Sequence, residues 1–135
     1  MRNILQNILA VIVGLFIGGA ANMGIVMLSD SIIPLLEGID PTNMESITSN
    51  FHLYRPKHFL MPFLAHALGT LIGAFLAAKI AATHQMKFAL VIGVFFLMGG
   101  IQMASLLPAP LWFDILDLGF AYIPMGYLGY KLAKG

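Results

Sequence analysis

The stretch FLMPFLAHALGTLIGAFLAA, residues 59–78, carries no formal charge over 20 positions. At 1.5 Å per helical residue it reaches roughly 30 Å, the thickness of the hydrocarbon core of a bilayer. Two other intervals repeat the pattern: nothing charged lies between Arg2 and Asp30, nor from Phe88 to Phe113. Hydrophobic residues make up 59% of the chain and charged residues 10%. A soluble fold would therefore need nearly every helix to be apolar all round, in a chain too short to hide that surface from water. The windows predict an all-α integral membrane protein, with residues 1–135 forming a single membrane domain.

Working outward from this stretch, we expect spans at about residues 4–29, 57–82, 87–107 and 111–132. Pro56 or Lys57 opens the second, because proline suits a first helical turn. Pro108 and Pro110 end the third, and Pro124 is expected to kink the fourth. Asp114 and Asp117 interrupt the outer part of that fourth segment, so a re-entrant segment is its alternative reading. Arg2 followed by an apolar run and Gly18, Gly19, Ala20 and Ala21 imitates a secretory signal. The apolar character continues from Met23 to Leu28, however, and a first membrane helix is the expectation. Short connections make neighbouring helices antiparallel, giving an up-and-down four-transmembrane-helix bundle.

The connection over about residues 31–55 is too long for a hairpin turn. Asp40 followed by Pro41 reads as a helix N-cap, and Met44, Ile47 and Phe51 recur at intervals of three and four. Either a short amphipathic helix over the outer mouth or an ordered loop pinned by those residues accounts for the pattern.

Under the positive-inside rule, Arg2, Lys79, Lys87, Lys131 and Lys134 on one side outweigh Arg55 and Lys57 on the other. The termini are thus expected in the cytoplasm and the protein in a cell (inner) membrane. Asp30, Glu37, Asp40, Glu45, Asp114 and Asp117 all gather at the opposite, external face. A net charge of +1 without a basic run or zinc-finger pattern gives no reason to expect a nucleic-acid partner. The chain has no cysteine, hence no disulfide, thiolate nucleophile or thiolate metal site. No nucleotide-binding glycine loop and no Ser/His/Asp spacing appear, so no cofactor and no catalytic set are implied.

Ala65, Gly69, Gly73, Ala77 and Ala81 repeat every four residues along the second span, a seam into which another backbone fits closely. Gly14, Gly18 and Asn22 form a matching row on the first. Helix one packing on helix two, or a contact with another subunit, would use them. Tyr54, Trp112 and Phe113 mark the outer interface, and Tyr127 and Tyr130 the inner one. His52 and His58 read as surface histidines, and Met23, Met27, Met98 and Met103 as packing residues.

The candidate site is the set of polar residues in the outer half. Asn22, His66, Thr70, Gln102, Asp114 and Asp117 come to comparable depth although they are scattered in sequence. An ionised carboxylate is costly in hydrocarbon, so Asp117 is expected to face the bundle or a wet cavity, with His66 as partner. An imidazole and a carboxylate there bind and release a proton or hold a cation. Asn22 and Gln102 add amide oxygens or join helices, Thr70 bonds to a carbonyl one turn back, and Asp114 sits at a helix N-terminus in reach of water.

The small four-span plan is similar to that of small multidrug exporters and fluoride channels, without an acidic residue centred in the first helix or an arginine-linked channel motif. That likeness is architectural and carries no substrate. The function expected is a small oligomeric transporter or channel for protons, an inorganic ion or a small polar solute. Its partners are membrane lipids and a second copy or another membrane protein. A non-transporting scaffold or assembly subunit is the alternative, and a lipid-modifying membrane enzyme a third reading.

Overall fold

The computed structural model describes residues 2–34, 38–40 and 42–135, with the side chain of Asp30 left aside. The described residues are helical or irregular, without a strand. Three helices are long and apolar enough to cross a membrane. The first, α1, runs Arg2–Ile32. A short helix α2, Met44–Asn50, follows in the long connection. A 3-10 turn over Pro56–Phe59 leads into α3, Leu60–Ile80, and α4 runs Gln85–Leu106. These long helices lie within a few residues of the expected first three spans, because uncharged runs bounded by prolines and charges leave little freedom in their limits.

The remaining segment differs from expectation. Residues 111–132 are not one kinked helix but two helices, α5 at Leu111–Phe120 and α6 at Ile123–Lys134. Pro124 sits in the first turn of α6. Its ring clashes with the carbonyl of residue 120 in a continuous helix, and it has no N–H for that carbonyl to accept. The chain stops one turn earlier. Ala121 N–H closes α5 on Asp117 O at 2.9 Å, and Gly126 N–H opens the next ladder on Tyr122 O at 2.8 Å.

α3 is the centre of the assembly and contacts α1, α4 and α6. The seam expected from sequence is closed within the chain. A Cβ at Gly73 would lie 2.5 Å from Gly14 O, and one at Gly18 would lie 2.7 Å from Gly69 O. Backbone therefore meets backbone, which only glycine permits. On another face of α3, a Cβ at Gly129 of α6 would lie 2.9 Å from both Ala74 Cβ and Leu71 O. Ala74, Ala77, Ala78, Ala89 and Ile92 form the buried centre. Outward side chains are apolar as well: Phe16, Met98 and Ile115 are 75, 62 and 62% exposed. That all-round apolar character is what helices in lipid require and what a water-facing bundle lacks.

At one end the α3–α4 turn is held by α1. Asn7 Oδ1 accepts from Ala82 N–H at 2.8 Å, Asn7 Nδ2 donates to Thr83 Oγ1 at 3.1 Å, and Gln6 Nε2 donates to Ile80 O at 2.7 Å. Neither residue stood out in the sequence.

At the other end Phe51, Phe59 and Phe113 form a second buried cluster, joined by Ile47 and Tyr54. The short helix and the pinned loop are thus both present, α2 resting through Ile47 and the following Phe51, while Met44 is exposed. The cap of α2 is Asn43, whose Oδ1 accepts Ser46 N–H at 3.0 Å, and not Asp40. Asp40 accepts the backbone N–H and hydroxyl of Thr42 instead, which hold its carboxyl below the usual carboxylate range. Pro41, the expected first helical residue, and Glu37 lie outside the described residues. His58 is also not a surface residue: it is buried, with Nδ1 accepting Arg55 N–H at 2.8 Å.

Candidate functional site

His66 stands in the second turn of α3 and Asp117 in the second turn of α5, and the contact of those helices brings the two together. His66 Nδ1 and Asp117 Oδ1 are 2.8 Å apart. The Asp117 side chain is 6% exposed and the His66 side chain 27%. Counting six residues from Leu60 places the imidazole about 9 Å below the end of α3. A carboxylate buried to this degree is costly without a partner, so the contact satisfies a physical requirement of the sequence.

Tyr122, which the sequence reading did not single out, completes the cluster. Its ring stacks on His66 with centroids 5.8 Å apart and planes 24° from parallel. Its hydroxyl lies 3.4 Å from Asp117 Oδ2 as the donor of a long hydrogen bond. The residue is 3% exposed and occupies the break between α5 and α6. Gly100 of α4 provides the room, since a Cβ there would lie 2.6 Å from the Tyr122 hydroxyl. The signal available in sequence was a phenol inside an apolar stretch two residues before a proline. Periodicity alone does not convert that into a position.

A cavity of about 200 Å³ lies beside the cluster, between α1, α3, α4 and the α5–α6 junction. Asn22, His66, Thr70 and Tyr122 supply its polar wall, and Phe96 and Met103 much of its apolar one. Gly19 and Gly99 line it as well, with open space where a Cβ would stand. Asn22 Oδ1 is buried and accepts no hydrogen bond from any described residue. A buried amide oxygen of this kind is a ready acceptor for a small donor in the cavity. Thr70, 1% exposed, donates its hydroxyl to His66 O at 2.8 Å, the bond one turn back that its position favours. Its role is therefore within its own helix.

Two expected members stand apart. Gln102 is exposed on α4 and does not line the cavity. Its angular position explains this: Gly100 and Met103 take the inward face, and residue 102 is turned away from both. Asp114 is half-buried near the start of α5, one turn before Asp117, and also lies outside the cavity wall. The structure thus brings Asn22, His66 and Thr70 to the cavity wall, with Asp117 bound to His66 but not itself a lining residue, and leaves Gln102 and Asp114 apart from both.

Chemically, the cluster is an acid, a base and a phenol in contact. A carboxylate accepting from imidazole Nδ1–H leaves Nε2 as the ring's other proton-binding atom. Among the described residues no three His, Asp or Glu side chains converge as a metal-ligand set. The cavity is below the roughly 300–1,000 Å³ of drug-sized ligand sites, and suits waters, an ion or a small polar solute. Comparison with known proteins returns no matching family model and no significantly similar curated protein or solved structure.

Proposed function

We propose that this chain is the subunit of a small membrane transporter or channel for protons, an inorganic ion or a small polar solute, with His66 and Asp117 as its proton-binding element. The observation that carries the reading is the 2.8 Å contact between a carboxylate that is 6% exposed and an imidazole lining a cavity. Ionisable residues inside apolar spans are costly, and their usual use is a solute or proton path. In this reading α5 and α6 together make a fourth crossing. In support, Phe113 packs with Phe59 at one end of α3, and Tyr130 joins the Ala78 cluster at the other.

The cavity is local and small, so a complete path calls for a second copy of the chain. Gln102, turned outward on α4, would find its hydrogen-bond partner across such an interface. A monomer mass in gentle detergent would count against that arrangement. The scaffold alternative drew on the small-residue seams of α1 and α3, and those seams face one another within this chain. A lipid-modifying enzyme would need a longer apolar pocket than this one.

The test is flux in reconstituted vesicles under an imposed pH gradient. The wild-type protein is expected to move its solute, and Asp117→Asn, which keeps the shape and an acceptor for His66, to retain the fold while losing pH-dependent flux. Folded protein with no flux across a broad panel of ions and small polar solutes would defeat the reading. The orientation, with cytoplasmic termini in the cell membrane, is tested separately: Asn43→Cys should label from outside intact cells and His84→Cys should not.

A further inference from the structure

A second cavity, of about 300 Å³, lies at the opposite end of the bundle, where α3 and α6 end and α4 begins. Ala78, Lys79, Gln85, Tyr130, Ala133 and Lys134 line it. We propose that this crevice binds the phosphate of an anionic phospholipid headgroup.

The charge distribution points to an anion. Lys79 and Lys134 are 55 positions apart in sequence, by the difference of their numbers, yet share one crevice. In sequence, all six acidic residues fall in the last turn of α1, in the connection between α1 and α3, or in α5. Among the described residues the one ion pair is His66–Asp117, so neither lysine has a carboxylate partner there. Each ammonium stands over an aromatic ring, Lys79 Nζ 5.9 Å from the Phe75 centroid and Lys134 Nζ 6.0 Å from that of Tyr130. This leaves both ammonium groups at the rim.

Hydrogen-bond donors complete the match to phosphate oxygens. Gln85, whose side chain carries an amide, and Tyr130, whose side chain carries a phenol, line the same crevice. α4 starts after His84, which is left-handed at φ 52° and provides no side-chain cap. The first N–H groups of a 22-residue helix therefore open beside the lysines, and such groups favour anions.

A free phosphate has the same oxygens, and position separates the two sources. The 20 residues of sequence before Lys79 carry no charge. The crevice thus sits where an apolar span gives way to charge, the level at which headgroups replace acyl chains. Buried Ala78 and half-buried Ala133 give it a small-residue floor, and exposed Lys79 and Lys134 a charged rim. The proposal rests on the membrane reading of the chain and not on transport.

The full-length protein in neutral detergent is titrated with phosphatidylglycerol or phosphatidylcholine, and bound lipid and the unfolding midpoint are followed by native mass spectrometry and thermal scans. Phosphatidylglycerol is expected to bind and raise the midpoint, and phosphatidylcholine to do neither. Each of Lys79→Gln and Lys134→Gln should weaken phosphatidylglycerol binding about fivefold and the pair roughly thirtyfold. Lys87→Gln makes the same charge change near the start of α4 but outside the crevice, and should leave binding as it was. Both lysines are exposed, and an unchanged midpoint without lipid checks that each variant keeps the fold despite losing its contact with a ring. A Lys87→Gln loss equal to that of Lys79→Gln would overturn the site in favour of diffuse charge. Equal binding of both lipids, or full protection by inorganic phosphate alone, would overturn the lipid assignment. Recovery of the native protein outside the membrane fraction would remove the membrane reading itself, and this proposal with it.

Discussion

Removing either member of the His66–Asp117 pair should not cost the same. In His66→Leu, Asp117 keeps its burial, 6% exposed at the side chain, and retains one neighbour, the Tyr122 hydroxyl at 3.4 Å. That separation is beyond the 2.5–3.0 Å range of good O–H···O bonds, so the carboxylate is left nearly uncompensated. The expected loss is about 3–5 kcal/mol, the range for breaking a buried pair from one side. In Asp117→Ala the survivor is an imidazole that can be neutral and whose side chain is 27% exposed. It can recover a hydrogen bond from water in the adjoining cavity, and the expected loss is about 1–3 kcal/mol. The two variants should differ by about 2 kcal/mol, roughly thirtyfold in the folding equilibrium. Equilibrium unfolding in mixed detergent micelles measures both. The double variant has no orphan carboxylate and should fall well short of the sum, close to Asp117→Ala alone. An Asp117→Ala loss equal to or larger than that of His66→Leu, or strict additivity, would refute the argument that the buried acid is the group needing its partner.

Two further expectations come from packing. Gly73→Ala places a Cβ 2.5 Å from Gly14 O, against 3.4 Å for ordinary contact, so α1 must shift by nearly 1 Å. A loss of about 1–3 kcal/mol is expected. Gly19→Ala meets open space and should stay within about 0.5 kcal/mol of wild type in the same unfolding assay. Asn7→Ala removes the acceptor of Ala82 N–H and the donor to Thr83 Oγ1. Hydrogen exchange at residues 82 and 83 should accelerate while the middle of α3 stays protected, and uniform acceleration would argue for global loosening instead.

The long helices were legible because an uncharged run of 20 residues has few alternative structures, and the seams of Gly14 and Gly18 and of Gly69 and Gly73 because four-residue spacing of small side chains marks close backbone packing, whereas spacing alone left open whether they meet each other or another subunit. The pairing of His66 with Asp117 was legible, because a carboxylate within an apolar run needs a partner. Facing direction was not. Gln102 shares the depth of the cluster but points outward, and depth counted along a helix carries no information about azimuth unless the packing partners are known. The role of Asn7 was hidden for a related reason: an asparagine near a chain terminus reads as interfacial until the turn it holds, 75 residues away in sequence, is placed beside it.

The two acids of α5 show how the site depends on the helix break. Asp114 lies in the first turn, close to uncompensated N–H groups and the end of the bundle, and can be half-exposed there. Asp117 is one turn deeper and must be met from inside. His66 meets one of its oxygens from α3, and the other faces Tyr122, five residues further along the chain. In an unbroken helix five residues advance the side chain by about 140° around the axis, which would turn Tyr122 away from Asp117. Pro124 prevents that continuation, and the altered course at Ala121 and Tyr122 returns the phenol to the side of the carboxylate. Gly100 and Gly93 are the complementary condition on α4, since a Cβ at either would crowd the Tyr122 ring or its carbonyl oxygen. The proline that stops α5 and the glycines that admit Tyr122 are therefore positioning elements of the same cluster, although none of them has a group that can carry a proton.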